Sequence, residues 1–122
     1  MTNRVDRLTA QAQQSIEAAG ERAAAAQNPE ITGLHLLAEL IAQPGGMVEM
    51  LFDVLNVDSQ QLQQMLEGEL DRLPTVQGGS GPVPAAKFHQ AIQSASAEAA
   101  AMQDELVSTE HLLLGLVETG EK

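Results

Sequence analysis

An all-α fold, built as a duplicated four-helix repeat with a truncated second copy, is what this 122-residue sequence predicts. Three observations carry that expectation. The stretch Ile31 to Ile41 matches Val107 to Val117 without a gap at a constant spacing of 76 residues, setting His35 over His111 and Leu36-Leu37 over Leu112-Leu113. The same spacing runs back into the preceding segment, where Ile16 meets Ile92 and Ala19, Ala23, Ala24 and Ala25 meet Ala95, Ala99, Ala100 and Ala101. Apolar residues also recur every three or four positions in runs longer than ordinary strands, and clusters of proline and glycine separate these runs. A period of this length exceeds that of the common solenoid repeats, so the repeating unit is a several-helix bundle present twice in one domain.

Taken in order, the first predicted helix starts after Thr2 or Asn3 and carries Val5, Leu8, Ala12, Ile16, Ala19, Ala23 and Ala26 on one narrow stripe, with Asn28-Pro29 as its stop. Small side chains along that stripe favour close approach of a partner helix. Thr32 caps a short apolar helix from Leu34 to Ala42, ended by Pro44-Gly45-Gly46 and expected to be the most buried of the first repeat. A third helix, Met47 to Leu55, is expected to turn Met47, Met50, Leu51, Val54 and Leu55 inward. Asp58 with Gln61 three residues on begins a fourth, whose Leu62, Leu66, Leu70 and Leu73 form the apolar face. Residues 74–84 lack periodicity and read as the linker between repeat one, 1–73, and the partial repeat two, 85–122. Pro84 fits the first turn of a fifth helix running to about Met102, with Phe88, Ile92, Ala95, Ala99 and Met102 buried. Ser108 or Thr109 caps the sixth, Glu110 to Val117. Completing the second repeat would take about 27 further residues, so the chain reads as a fragment of a longer protein or a stand-alone protein lacking that end.

Composition narrows the function. A net charge of −11 with only Phe52 and Phe88 as aromatics opposes nucleic-acid binding, which needs basic patches and stacking rings, and suits basic or amphipathic polypeptides. The absence of cysteine removes disulfides and thiolate metal sites. No run approaches a membrane-spanning length and no basic-then-apolar leader opens the sequence, which makes a soluble, cytoplasmic chain the expectation. The glycines of 78–81 are not a phosphate loop, because no Gly-Lys-Ser/Thr follows them.

His35 and His111, with Glu39 and Glu110 nearby, invite a metal or acid–base reading. A zinc site needs three or four converging ligands, and neither histidine has a second one a turn away, so a packed ring bonded near a helix start is the better expectation. Asp104 and Glu110 flank the same helix start, where the macrodipole favours acidic residues without any catalytic role. Met50 and Met65 are expected in the core, and Met47 could equally serve an adaptable surface.

With the intact Thr109-Glu110-His111-Leu112-Leu113-Leu114 signature and its echo in the first repeat, the whole chain resembles the N-terminal domain of the Clp/Hsp100 family of AAA+ chaperones. Val5-Asp6-Arg7-Leu8-Thr9, Gly45-Gly46 and Leu73-Pro74-Thr75-Val76 look most like its ClpB branch, the disaggregases. The resemblance implies a pseudo-twofold domain without chemistry of its own. It implies that unfolded or aggregated polypeptides, or adaptor proteins, are handed to a hexameric ATPase ring, and that contact with them falls on Thr9, Asp104 and Glu110. ATP would bind in other modules of the parent protein, since this chain has no P-loop and calls for no cofactor or metal. The alternatives are an N-domain of a ClpA/ClpC-type, protease-coupled unfoldase and a stand-alone scaffold docking on a Clp protease. The ClpC branch carries Glu in both copies of the signature, whereas Leu34 stands at the first of those positions here.

Overall fold

Ala12, Ala19 and Ala23 have no exposed surface, nor do Leu36, Leu40 and Leu112, so the core forms where alanine-lined helices lie against leucine-rich ones. The computed structural model describes residues 8–42, 47–76, 81–104 and 106–118, apart from the side chains of Met47 and Glu118. Within them the order is α1 (Ala10–Ala25), β1 (Glu30–Ile31), α2 (Gly33–Ala42), α3 (Met47–Val54), α4 (Ser59–Asp71), β2 (Val83–Pro84), α5 (Ala86–Ala101) and α6 (Thr109–Glu118). Helix α2 is central and touches each of the other five described helices. It buries His35, Leu36, Leu37, Ala38, Leu40 and Ile41, as expected of the most hydrophobic short helix. Each fully buried leucine contributes about 1.5–3 kcal/mol, so Leu36, Leu40, Leu112 and Leu116 are principal anchors of the domain.

Helices α1 and α5 begin and end 76 residues apart, as do α2 and α6. Their C-termini close identically. Gln27 and Gln103 take left-handed φ angles of 59° and 61°. Each donates back to a helix carbonyl, Gln27 to Ala24 and Gln103 to Ala100, and the next residues, Asn28 and Asp104, donate to Ala23 and Ala99. This is the Schellman closure, built here on glutamine in place of glycine. The two halves then interlock. Ile31 pairs in parallel with Pro84, and Val107 bridges Leu8, again residues 76 apart with the roles exchanged. The Ala85 amide donates to Ile31 and the Thr9 amide to Val107, both at 2.9 Å. The bounds match and the pairing is reciprocal, each half lending its entry strand to the other.

Several expectations are corrected. Leu8 and Thr9 belong to the bridge and cap that precede α1, so the helix starts at Ala10; the alternative caps Thr2 and Asn3 lie outside the described residues. Pro84 pairs in β2 instead of opening α5, a role available to proline at a short edge strand. The segment read as a bare linker therefore ends in a strand. On α3 the buried residues are Val48 and Phe52, while Met50, Leu51 and Val54, and Leu55 just past its end, are exposed; the side chain of Met47 lies outside the described ones. The helix is eight residues long, and with so few turns the inward face is chosen by what packs on it, not by the period alone. Met65 and Met102 also lie on the surface, 63% and 54% exposed, so neither fills the core.

Candidate functional site

The site is assembled at the start of α6, where three hydrogen bonds converge on one imidazole. Ser108 holds the N-cap position, its carbonyl accepting the first helical bond from Leu112. Its own amide donates to His111 Nδ1 at 2.9 Å, the bond that a Glu or Gln makes in an ordinary capping box. Nδ1 is thus the acceptor, and Nε2 carries the hydrogen that it donates to Asp104 Oδ2 at 3.0 Å. The same arrangement stands at α2: the Thr32 amide donates to His35 Nδ1 at 2.9 Å, and His35 Nε2 donates to Asn28 Oδ1 at 2.9 Å. Both rings are almost wholly buried, which matches the expected structural role for the two histidines. Burial, reinforced by the positive charge of Arg22, lowers the pKa of His35 below its ordinary value of 6.5, against an opposing contribution from the bond to Thr32.

Around His111 the surface opens into a depression of about 450 Å³ lined by Gln103, Asp104, Leu106, Ser108, Glu110 and His111. Asp104 and Glu110 are brought together there. Glu110 Oε1 accepts from the Ser108 hydroxyl at 2.6 Å, and Leu106 leaves half of its surface exposed beside them. Thr9 does not line the depression; its amide is bonded to Val107, which lies between Leu106 and Ser108 in the chain. Its hydroxyl is not simply solvated, because it caps α1 by accepting from the Ala12 amide at 3.1 Å. Gln103, Leu106 and Ser108 were not singled out from sequence as contact residues. The 76-residue spacing, carried one position past Gln27 and Gln103, would have paired Asn28 with Asp104 and marked both as histidine partners.

Ser108, His111 and Asp104 lie in line like a hydrolytic triad, yet the bonding opposes that chemistry. A base must have a lone pair for the serine proton, and Nδ1 already accepts the Ser108 amide. The serine proton is itself directed to Glu110. Among the described residues no three histidines or carboxylates gather to hold a metal ion, and no helix is long and apolar enough to cross a membrane.

The chain is thus a mostly helical domain of two interlocked helix pairs, with a polar depression at the start of α6. Residues 7–122 match the family profile described as the Clp repeat (R) N-terminal domain, and the chain belongs to that family. It is 38% identical over all 122 residues to the chaperone protein ClpB of Rhodopirellula baltica, of which it spans 14%. It is similar to the crystal structure of the Hsp104 N-terminal domain from Candida albicans, with a TM-score of 0.85 and 23% identity, covering 93% of this chain and 75% of that one. It is also similar to the ClpV N-domain in a complex with a VipB peptide, with a TM-score of 0.82 and 18% identity over 97% of this chain and 72% of that one. The fold is that of a Clp N-domain, and such a repeat domain is not catalytic.

Proposed function

We propose that this chain is the polypeptide-capturing N-terminal domain of a ClpB-like, ATP-dependent disaggregase, with Thr9, Asp104 and Glu110 at its contact surface. The observation that carries the reading is the open depression at the start of α6, where two carboxylates and an exposed leucine stand together. Unfolded chains present both apolar side chains and unpaired main-chain amides, and a carboxylate beside apolar surface meets both. Support comes from the curated relatives, which are ClpB chaperones, and from the ClpV N-domain solved with a peptide. In the whole protein, a hexameric ATPase ring would draw in what this domain holds, in a cytoplasmic stress response, and adaptor proteins would use the same face.

Glu110→Ala tests it. Its local losses are a favourable interaction with the α6 dipole, about 0.3–1 kcal/mol, and the bond from the Ser108 hydroxyl, about 1.5–3 kcal/mol at most, together too little to unfold a domain of ordinary stability, about 5–15 kcal/mol. A lost charge-assisted bond to a bound chain costs about 1.5–3 kcal/mol, or roughly ten- to a hundredfold in affinity. Titrating a fluorescently labelled, chemically unfolded protein onto wild type and variant measures it. Unchanged affinity in Glu110→Ala and in Asp104→Ala would remove this face from client capture.

A further inference from the structure

Among the described helices, α4 buries the least for its length. Of its 13 residues only Leu66 is buried, with Leu62 and Leu70 partly covered, whereas α5 buries Phe88, Ala91, Ile92, Ala95 and Ala99. The sequence of α4 also adds little helical stability of its own. Gly68 stands in its interior where a Cβ would meet nothing within 4 Å, so no close neighbour requires the glycine, and its conformational freedom weakens the helix. Glu67, Glu69 and Asp71 crowd the C-terminal end, which the helix dipole disfavours. No basic residue stands in the last turn, and Arg72, just past it, bonds Glu69 on open surface.

What holds α4 in place comes from neighbouring elements, and each tie is slight. The helix rests chiefly on α2. Arg22 of α1 reaches Glu67 at 3.4 Å, but its shorter bond, 2.7 Å, goes to Glu39, and the Glu67 side chain is 60% exposed. Past the helix, Asn28 Nδ2 donates to the Pro74 carbonyl and the Val76 amide to the Gln27 carbonyl, both at 2.8 Å, while Pro74, Thr75 and Val76 stay exposed. A gap of about 50 Å³ persists where Leu73 and Pro74 lie against Asn28, Pro29, Glu30 and Thr32. A hinge stands at the other end. Asn56 takes a left-handed φ of 57°, and its amide and that of Val57 bond back to Asp53 and Phe52, so only Val57 separates the closed end of α3 from the Asp58 cap of α4.

We propose that α4 and residues 72–76 form a cover that lifts from α2 as one unit, turning at residues 56–58, while α1, α2, α5 and α6 remain packed. The open form presents apolar surface of α2 together with Leu62, Leu66 and Leu70 of α4, surface that the closed form withholds. This device is independent of the capture reading, whose face lies at the start of α6.

Hydrogen exchange of the native 122-residue chain, read amide by amide, tests it. In wild type the α4 amides and that of Val76 should exchange through one common opening, roughly tenfold or more populated than the opening that exposes α5 and α6. Gly68→Ala adds a methyl group in open space and should slow the α4 and Val76 amides together by about fivefold. Ile92→Val loosens the packing of α5 and should speed the slowest α5 and α6 amides by about fivefold. It should leave α4 and Val76 as they were, because the open form keeps that packing. Equal acceleration of α4 in Ile92→Val would mean that the cover opens only when the whole domain unfolds. A Val76 amide indifferent to Gly68→Ala would mean that residues 72–76 do not travel with α4. Either result overturns the inference, as does equal protection of α4 and α5 in wild type.

Discussion

The two helix pairs share their bounds, turns and histidine caps, yet they are held together by different means. In the second half, α6 presents Gly115 to α5, where an added Cβ would lie 2.1 Å from the Ala91 carbonyl oxygen and 2.9 Å from the Ala95 amide nitrogen. Backbone packs on backbone. In the first half the equivalent residue is Glu39, and it reaches across to Arg22 Nε at 2.7 Å, while Arg22 also meets Glu67 of α4 at 3.4 Å. The residue matching Arg22 in the second half is Glu98, so no such pair could form there. Two helix pairs with the same bounds thus accommodate either a glycine seam or an ion pair, and the choice decides how closely the helices approach.

The largest effect should come from closing the glycine seam. Gly115→Ala forces a methyl group into backbone atoms that cannot swing aside, and a loss of about 3 kcal/mol is expected, at the upper end for overpacking. Glu39→Ala, its counterpart, removes a partly exposed ion pair and should cost only about 0.5 kcal/mol. Urea unfolding of both variants measures the contrast, and equal losses would break it.

A second distinction is polar. His35 faces a neutral amide and a nearby arginine, whereas His111 faces a carboxylate. Because the folded-state pKa of His35 is lowered, the unfolded chain binds the proton more readily. Stability from this group is therefore complete above pH 6.5 and is lost as pH falls from there toward the lower folded value. His35→Gln retains an acceptor for the Thr32 amide and abolishes that titration, so its stability should vary less with pH between about 7.5 and 5.5 than that of wild type. Denaturant melts across that range settle whether the slopes differ.

The smallest expected effect probes what the halves share. Glutamine at a left-handed turn is strained relative to glycine, so Gln27→Gly and Gln103→Gly should each stabilise the domain by about 0.5–1 kcal/mol. Similar gains in thermal unfolding would show the two closures to be energetically alike, and a gain in only one would separate them.

The sequence by itself determined the helix pairs, because a 3.6-residue period, Asp58 as a cap and the Pro-Gly breaks are local signals that act over a few residues. It also determined the histidine roles, since a lone His near a helix start has few metal options and an available capping bond. Tertiary structure alone decided the rest. Strand pairing of Leu8 with Val107 and of Ile31 with Pro84 joins positions far apart in the chain, and two-residue strands carry no pattern to read. The exposure of Met50, Val54 and Met65 likewise follows from which neighbours arrive, not from spacing.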